Sequence, residues 1–276
     1  MNSDLRERKY PLPYIPNLGI KYPEKTYEHM PLRPKIRDIK FDGNYPYYDK
    51  SFKFRFISFM VHALIFTFYQ VIQIIRFDLK IEGRSNLRKY KQMFKNGALT
   101  ISNHIMRMDF VCVLYAVRRR LHFPALAYNM CTKDAGFIRA VGGIPIPAGF
   151  DAMRAFNAAF DRLHSEKAWF HSFPEASSWD YNQSIRPFRK GTFTLAYRYN
   201  IPVIPMAFSY REPTGIYRLF KKGQPLITLR IGEPIIPNLN LRRKEAVNIL
   251  REQCHKKIVE LAGMLEGENP YPCAID

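Results

Sequence analysis

The pattern of apolar and polar positions divides the 276 residues into three parts. Residues 1–50 show little helical or strand periodicity and are rich in proline and tyrosine, which predicts an extended arm. The twenty residues 56–75 carry no charged side chain. Beyond them, short apolar stretches alternate with longer amphipathic ones. We therefore expect an N-terminal arm over 1–50, an apolar helical segment over 51–78 and an α/β domain over 79–276.

The alternation in the third part predicts seven strands and six helices. The predicted strands are 79–82, 98–102, 123–128, 144–147, 168–173, 202–209 and 226–231. The predicted helices are 86–95, 109–120, 134–141, 151–165, 189–199 and 241–264. Strands that alternate with helices indicate an α/β fold, with a mixed, largely parallel sheet flanked by helices on both faces. An apolar membrane-associating helix precedes this domain.

The charge-free run over 56–75 is about as long as a helix that spans a bilayer. Its polar residues Ser58, His62, Gln70 and Gln73 fall within about 120° of a helical wheel, and apolar residues cover the rest. Lysine and arginine stand at both ends of the run. Such a helix suits an in-plane or re-entrant anchor at least as well as a span, and a buried core helix is the alternative. We expect attachment to a membrane.

Charge supports the membrane over other partners. The chain carries 43 Lys and Arg against 24 Asp and Glu, a net charge of +19, which attracts it to polyanions. Residues 51–100 alone hold nine basic and two acidic residues around the apolar run. A basic nucleic-acid-binding protein is the rival outside this class, but the chain has no helix-turn-helix, RNP or zinc-finger signature. We expect no nucleic-acid partner.

The cysteines indicate neither disulfides nor a metal site. Cys112, Cys131, Cys254 and Cys273 are scattered, without a CxxC pair or a histidine at zinc spacing. We expect reduced cysteines and an active site that faces the cytoplasm, since no cleavable signal peptide opens the chain. A metal-dependent hydrolase would need further clustered ligands, so we expect no metal.

The stretch with the clearest chemistry holds a histidine and an aspartate five residues apart. His104 and Asp109 lie between the predicted strand 98–102 and the predicted helix 109–120. On one continuous helix they would point about 140° apart, so they can meet only across a bend. A carboxylate that accepts a hydrogen bond from one imidazole nitrogen leaves the other nitrogen free to act as a base.

This His-(four residues)-Asp unit is followed by four further segments. They are Val141-Gly-Gly-Ile-Pro-Ile-Pro147, Ser172-Phe-Pro-Glu-Ala-Ser-Ser178, Phe188-Arg-Lys-Gly191 and Ile201-Pro-Val-Ile-Pro205. In this order the set resembles the glycerolipid acyltransferase family with the HxxxxD motif, which includes 1-acyl-glycerol-3-phosphate (lysophospholipid) acyltransferases and tafazzin-like transacylases. The resemblance covers roughly residues 80–236.

The resemblance implies transfer of an acyl group from acyl-CoA or acyl carrier protein to a lipid hydroxyl, with no cofactor. His104 would be the general base and Asp109 would orient it. The residues that the resemblance places at the substrate are Asn103, Arg107, Gly143, Glu175, Ser177, Arg189 and Lys190. Glu175 would either organise the His104 loop or act as a second acid near the acceptor.

Two positions depart from the family pattern. Pro147 and Ser178 stand where the family usually has arginines that grip the acceptor phosphate. Either other cations bind the phosphate or the acceptor is not a simple glycerol phosphate, and the second interpretation is favoured slightly. The candidate cations are Arg107, Arg139, Arg154, Arg186, Arg189 and Lys190. The acceptor, the donor, the chain length and the oligomeric state do not follow from the sequence, and an inactive lipid-binding member of the family is a further alternative.

Overall fold

A seven-stranded sheet forms the centre of the molecule, in a computed structural model that describes residues 8–221 and 223–274. The structure does not describe residues 1–7 of the predicted arm. It also does not describe residues 222, 275 and 276 of the predicted domain. The strands are β1 (Lys80–Glu82), β2 (Ala98–Ser102), β3 (Leu121–Leu126), β4 (Gly143–Ile146), β5 (Trp169–Ser172), β6 (Val203–Arg211) and β7 (Leu226–Ile231).

The strand order is β1-β7-β6-β2-β5-β3-β4. All neighbouring strands are parallel except β6 and β7, which pair antiparallel. The central strands β2, β5 and β6 are buried on both faces, as their continuous apolar runs predict. The predicted mixed, largely parallel sheet is confirmed.

Helices cover both faces of the sheet. They are α1 (Phe52–Leu64), α2 (Gln70–Phe77), α3 (Arg84–Lys89), α4 (Asp109–Val117), α5 (Ala135–Ala140), α6 (Phe150–Ser165), α7 (Lys190–Tyr199), α8 (Ile216–Phe220) and α9 (Arg243–Leu261). Because neighbouring residues of a strand point to opposite faces, β2 contributes to two hydrophobic cores. Ala98 packs in the core that contains α4, whereas Leu99 and Ile101 pack in the core that contains α6, α7 and α9.

The observed elements differ from the predicted ones mainly at their ends. β3 starts two residues before the predicted strand 123–128 because Leu121 already pairs with Trp169 of β5. α4 ends before residue 120 because Arg118 adopts a left-handed conformation, with φ 53°. The predicted helix 86–95 is divided into α3 and a short 3₁₀ turn, Lys91–Phe94. α8 was not predicted, since five residues show no helical period.

The apolar segment before the domain lies on the surface. α1 continues through a π-helical turn, Ile65–Tyr69, into α2. In the described part of the chain one helix, Phe52–Tyr69, is long and apolar enough to cross a membrane, and 11% of that stretch is buried. Its polar side faces the domain, where Ser58 Oγ donates to the Ala140 carbonyl at 2.7 Å. The segment is therefore not a core helix. The predicted polar side also includes Gln70 and Gln73, but the structure does not describe their side chains.

The described part of the arm, residues 8–50, has no helix or strand and follows the surface of the domain. The backbone N–H of Tyr14 donates to the Tyr210 carbonyl at 3.0 Å. The N–H of Ile36 donates to the Cys131 carbonyl at 2.9 Å. These contacts hold the extended arm against two separate parts of the domain.

Candidate active site

His104 and Asp109 face each other across the bend that links β2 to α4. β2 ends at Ser102, and Asp109 is the first residue of α4. His104 Nδ1 lies 2.7 Å from Asp109 Oδ2. The structure thus brings the two side chains together across a bend, as their spacing predicted.

Asp109 is held rigidly. Its side chain is fully buried, and Oδ2 also accepts the backbone N–H groups of Ile105 at 2.9 Å and Met106 at 3.3 Å. A carboxylate in the first turn of a helix is further stabilised by the helix dipole. An ionised Asp109 that accepts from Nδ1–H fixes the tautomer of His104 and leaves the Nε2 lone pair available.

The imidazole of His104 is placed at a surface by an aromatic contact. Its ring stacks on Phe173, with 3.9 Å between ring centroids and 13° between planes. The His104 side chain remains 19% exposed, whereas Asp109 is closed off from solvent. A base must reach its substrate while its orienting carboxylate stays desolvated, and this arrangement meets both needs.

His104 opens into a cavity of about 550 Å³. This volume lies within the usual range for small-molecule sites. Apolar side chains from α4, β3, β4 and α6 form much of its wall: Phe110, Phe123, Leu126, Ile146, Met153, Phe156 and Phe160. Arg107, Arg189, Arg198 and Arg243 also line it. An apolar wall combined with cations suits a ligand that has both a hydrocarbon part and an anionic part.

A buried ion pair stabilises the His104 loop from below. Glu175 Oε2 accepts the backbone N–H of His104 at 3.1 Å and the Arg186 guanidinium at 2.5 Å. Arg186 also donates to Ser177 Oγ, and all three side chains are buried. Of the two predicted roles for Glu175, the structure shows loop organisation. Arg186 is committed to this brace and does not reach the cavity as a phosphate-binding cation.

The N-terminal arm crosses the same loops. The carbonyl of Thr26 accepts from Ser177 Oγ at 3.2 Å, and the carbonyl of Glu28 accepts from the Trp179 indole N–H at 2.8 Å. The carbonyl of Pro31 accepts from Arg107 at 2.7 Å. Sequence reasoning missed this contact because backbone carbonyls carry no sequence signal.

Three predicted substrate residues lie away from the cavity wall. The Asn103 amide exchanges two hydrogen bonds with the backbone of Phe208, at 2.8 and 3.1 Å, and so joins the loop to β6. Gly143 packs against α5, where an added Cβ would lie 2.5 Å from Ile138 Cγ2. Ser177 is buried under the arm. None of the three lines the cavity beside His104, and their contact with substrate stays a prediction.

The predicted cations separate into groups. Arg107 and Arg189 line the cavity, and Lys190 lines a smaller adjoining cavity with Arg243 and Lys244. Arg139 pairs with Asp49 at 2.9 Å on another side of the molecule. Arg154 is exposed on α6 and lines neither cavity. Of the six candidates, Arg107 and Arg189 remain best placed for a substrate anion near His104.

A second histidine, which sequence reasoning did not single out, lies close to the pair. His171 on β5 lines the cavity and contacts the Phe173 ring edge-on. Burial lowers the pKa of His171 to about 3. The His171 side chain therefore stays neutral at pH 7 and adds no positive charge beside the base. Among the described residues no three His, Cys, Asp or Glu side chains converge as a metal site.

Comparisons with known proteins agree with the predicted family. Residues 78–209 match the sequence model of the acyltransferase family. An uncharacterized acyltransferase of Schizosaccharomyces pombe is 27% identical over 177 residues, which are 59% of this chain and 58% of that protein. The 1-acyl-sn-glycerol-3-phosphate acyltransferase of Saccharomyces cerevisiae is 24% identical over 61% of this chain and 55% of that enzyme. The chain thus matches a little over half the length of these relatives.

One of the solved structures to which this chain is similar is the crystal structure of the 1-acyl-sn-glycerophosphate acyltransferase PlsC of Thermotoga maritima, with a TM-score of 0.49 and 20% identity. The match covers 78% of this chain and 97% of that chain. The family match and the two relatives support the predicted class of enzyme, one that transfers acyl groups. Residues 78–209, just under half of this chain, are thus similar to the acyltransferase family.

Proposed function

We propose that the protein is a membrane-associated O-acyltransferase that moves a fatty acyl chain from a thioester to a hydroxyl of a lysophospholipid-like acceptor. The observation that carries the proposal is the 2.7 Å contact of His104 with a buried Asp109 at an apolar cavity. The Saccharomyces cerevisiae relative is named for the same class of reaction.

The proposed chemistry needs no covalent enzyme intermediate. His104 Nε2 takes the proton of the acceptor hydroxyl, and the oxygen attacks the thioester carbonyl directly. Backbone N–H groups at the start of α4 stabilise the resulting oxyanion. The carbonyl then re-forms, the C–S bond breaks, and the imidazolium returns its proton to the leaving thiolate. The products are the acyl ester and the free thiol.

The cavity provides a place for the acyl donor. The hydrocarbon chain lies among the apolar side chains of α4 and α6. Towards α7 and α9 the wall becomes basic, with Arg189 and Arg243, and leads to Lys190 and Lys244 in the adjoining cavity. Two helices begin there, at Lys190 and Arg243, and their N-termini also favour anions. This groove suits the phosphates of CoA or the acidic surface of an acyl carrier protein.

The acceptor is held differently from the usual family pattern. Pro147 and Ser178 provide no cation, and Arg186 is used in the brace beneath the loop. Arg107 and Arg189 are the cations that remain at the cavity near His104. We therefore favour a lysophospholipid-like acceptor other than a simple glycerol phosphate, with a tafazzin-like transacylase as the alternative.

An exposed apolar surface supports membrane attachment. We define the apolar face as the outward side chains of α1, α2 and α8, including Phe56, Phe59, Ile75, Leu219 and Phe220, each more than half exposed. α8 joins α2 through a hydrogen bond from Tyr217 Oη to the Ile74 carbonyl at 3.2 Å. A contiguous apolar face of this kind marks a membrane or protein interface. Lys53, Arg55, Arg76 and Lys80 flank it, as expected for insertion into an anionic, cytoplasm-facing leaflet.

An acceptor screen tests the proposed function. The full-length protein is incubated with one labelled acyl-CoA or acyl carrier protein and, in parallel, lysophosphatidic acid, glycerol 3-phosphate, other lysophospholipids, a donor phospholipid for transacylation, and hydroxyl compounds without phosphate. We expect acyl transfer to at least one lysophospholipid and a slower rate with glycerol 3-phosphate. A protein that transfers acyl groups to none of these acceptors would contradict the proposal.

A further inference from the structure

A second cavity of about 430 Å³ lies near the amino-terminal ends of the parallel strands, whereas His104 lies at their carboxyl-terminal ends. It is formed by residues 45–50 of the arm, by α1, and by the starts of β3 and β4. The strands β2, β3, β4 and β5 run parallel. The end of β2 therefore lies on the side of the sheet opposite to the starts of β3 and β4. None of the residues that line this cavity also lines the cavity beside His104.

The described cations that line the second cavity outnumber its described carboxylates by two arginines. Lys50, Arg55, Arg120 and Arg139 line it together with Asp49 and Glu166. Arg139 pairs with Asp49 and Lys50 pairs with Glu166, each at 2.9 Å. Among the described charges that line it, Arg55 and Arg120 are therefore in excess; both are exposed, and Arg120 also lies over the Phe59 ring of α1 at 5.9 Å. Two guanidinium groups at one opening are suited to a phosphate group.

The floor of the second cavity has an unused hydrogen-bond acceptor. His62 is 4% exposed, and its Nδ1 lies 2.8 Å from the Ser58 carbonyl, so Nδ1 carries the proton. Its Nε2 is buried without a hydrogen-bond partner in the described structure. A buried acceptor without a partner is costly, and a ligand hydroxyl would satisfy it. His122 lines the cavity beside it, and burial lowers the pKa of His122 to about 4, so this neighbour is also neutral.

The position of the second cavity indicates where its ligand comes from. α1 supplies Arg55 and His62 to the cavity and Phe56 and Phe59 to the apolar face. A phosphate ester bound here would lie beside the side chains that enter the lipid, so its acyl chains could extend along α1.

We propose that the second cavity binds the headgroup of an anionic, hydroxyl-bearing phospholipid, with Arg55 and Arg120 on the phosphate and His62 Nε2 accepting from a headgroup hydroxyl. This site is separate from the reaction centre. It selects the membrane on which the enzyme works, and it does not depend on the acceptor that His104 activates.

Vesicle binding by the full-length protein tests the phosphate contacts. Cosedimentation is compared on phosphatidylcholine vesicles with and without phosphatidylglycerol, at constant salt. We expect Arg55→Gln/Arg120→Gln to lose affinity for the anionic vesicles by about 5-fold for each arginine. The control Lys53→Gln/Arg76→Gln removes the same charge from exposed positions that also flank the apolar face but do not line the second cavity. An equal loss in both double variants would overturn the proposal.

Two further arms test the hydroxyl and the source of the phosphate. Phosphatidylmethanol has the charge of phosphatidylglycerol but no hydroxyl, so the wild type should bind it more weakly, and His62→Phe should bind both lipids equally. Equal binding of both lipids by the wild type would contradict the site. Soluble glycerol 3-phosphate at millimolar concentration should leave vesicle binding unchanged, and displacement by it would assign the cavity to a soluble ester instead. Acyl transfer in detergent without phosphatidylglycerol serves as the check that the variants are folded.

Discussion

At the scale of single residues, the His104–Asp109 pair depends on a few short contacts. Asp109 contributes one oxygen to three donors: the His104 imidazole and two backbone N–H groups. The spacing of His104 and Asp109 predicted their pairing across a bend, because only that geometry lets them meet. The partner of Glu175 did not follow from the sequence, since Arg186 is one of many arginines and only the fold buries it beneath the loop.

Asp109→Asn tests the orienting role. An amide can present its NH₂ group to Nδ1, which favours the tautomer with the proton on Nε2 and removes the base. We expect kcat to fall by about 10²–10⁴-fold, with a much smaller change in KM. Steady-state kinetics give both constants, and circular dichroism verifies the fold. A kcat within a few-fold of the wild type would exclude this role.

Glu175→Leu tests the brace below the loop. It leaves the Arg186 guanidinium buried without its carboxylate, so we expect the free energy of unfolding to fall by about 3–5 kcal/mol. The double variant Glu175→Leu/Arg186→Met removes both charges and should recover most of that loss. Urea unfolding measures the effect. The control Glu266→Leu breaks an exposed pair with Lys256 and should cost less than about 1 kcal/mol; a similar small loss for Glu175→Leu would count against the brace.

At the scale of elements, apolar periodicity predicted the sheet strands to within two residues. The central strands β2, β5 and β6 are buried on both faces, so their sequences are mostly apolar and easy to find. α8 was missed because it has no repeat to detect. The path of the arm over Ser177 and Trp179 was also missed, because it depends on the backbone carbonyls of Thr26 and Glu28.

Phe56→Glu/Phe59→Glu tests the function of α1. Both side chains are more than half exposed, so the free energy of unfolding should hardly change. Binding to vesicles in high salt, where apolar insertion persists and electrostatic attraction is screened, should fall at least 10-fold. The control Ile249→Glu changes a less exposed apolar residue on α9. Unchanged vesicle binding by the α1 variant would show that the apolar face has another partner.

At the scale of the whole molecule, the second cavity and His104 lie at opposite ends of the parallel strands. The strand order could not be predicted, because periodicity identifies strands but not their neighbours. The antiparallel pairing of β7 with β6 likewise depends on tertiary packing. The candidate site residues were easier to predict from the sequence than the strand order, because the ordered motif blocks contain those residues. Which of those residues reach the cavity is decided by the fold, as Asn103 and Gly143 show.

The stability of the whole molecule should depend on pH through buried imidazoles. Burial lowers the pKa of His171 to about 3 in the folded state, so the unfolded chain binds its proton first as the pH falls. The free energy of unfolding should therefore decrease between about pH 6.5 and pH 3, by at most about 1.4 kcal/mol per pH unit for this group. His171→Asn should show a shallower dependence in urea unfolding across that range. Parallel curves for the variant and the wild type would refute the contribution of His171.

The central claim is that the His104 imidazole removes the proton from an acceptor hydroxyl. The most direct test is the rate of acyl transfer by His104→Ala, measured with a labelled thioester and the best acceptor of the screen. His164→Ala on α6 is the control, and the unfolding transition is measured for both variants. The account predicts a loss of at least 10²-fold for His104→Ala and little change for the control. Turnover by a folded His104→Ala protein at close to the wild-type rate would contradict it.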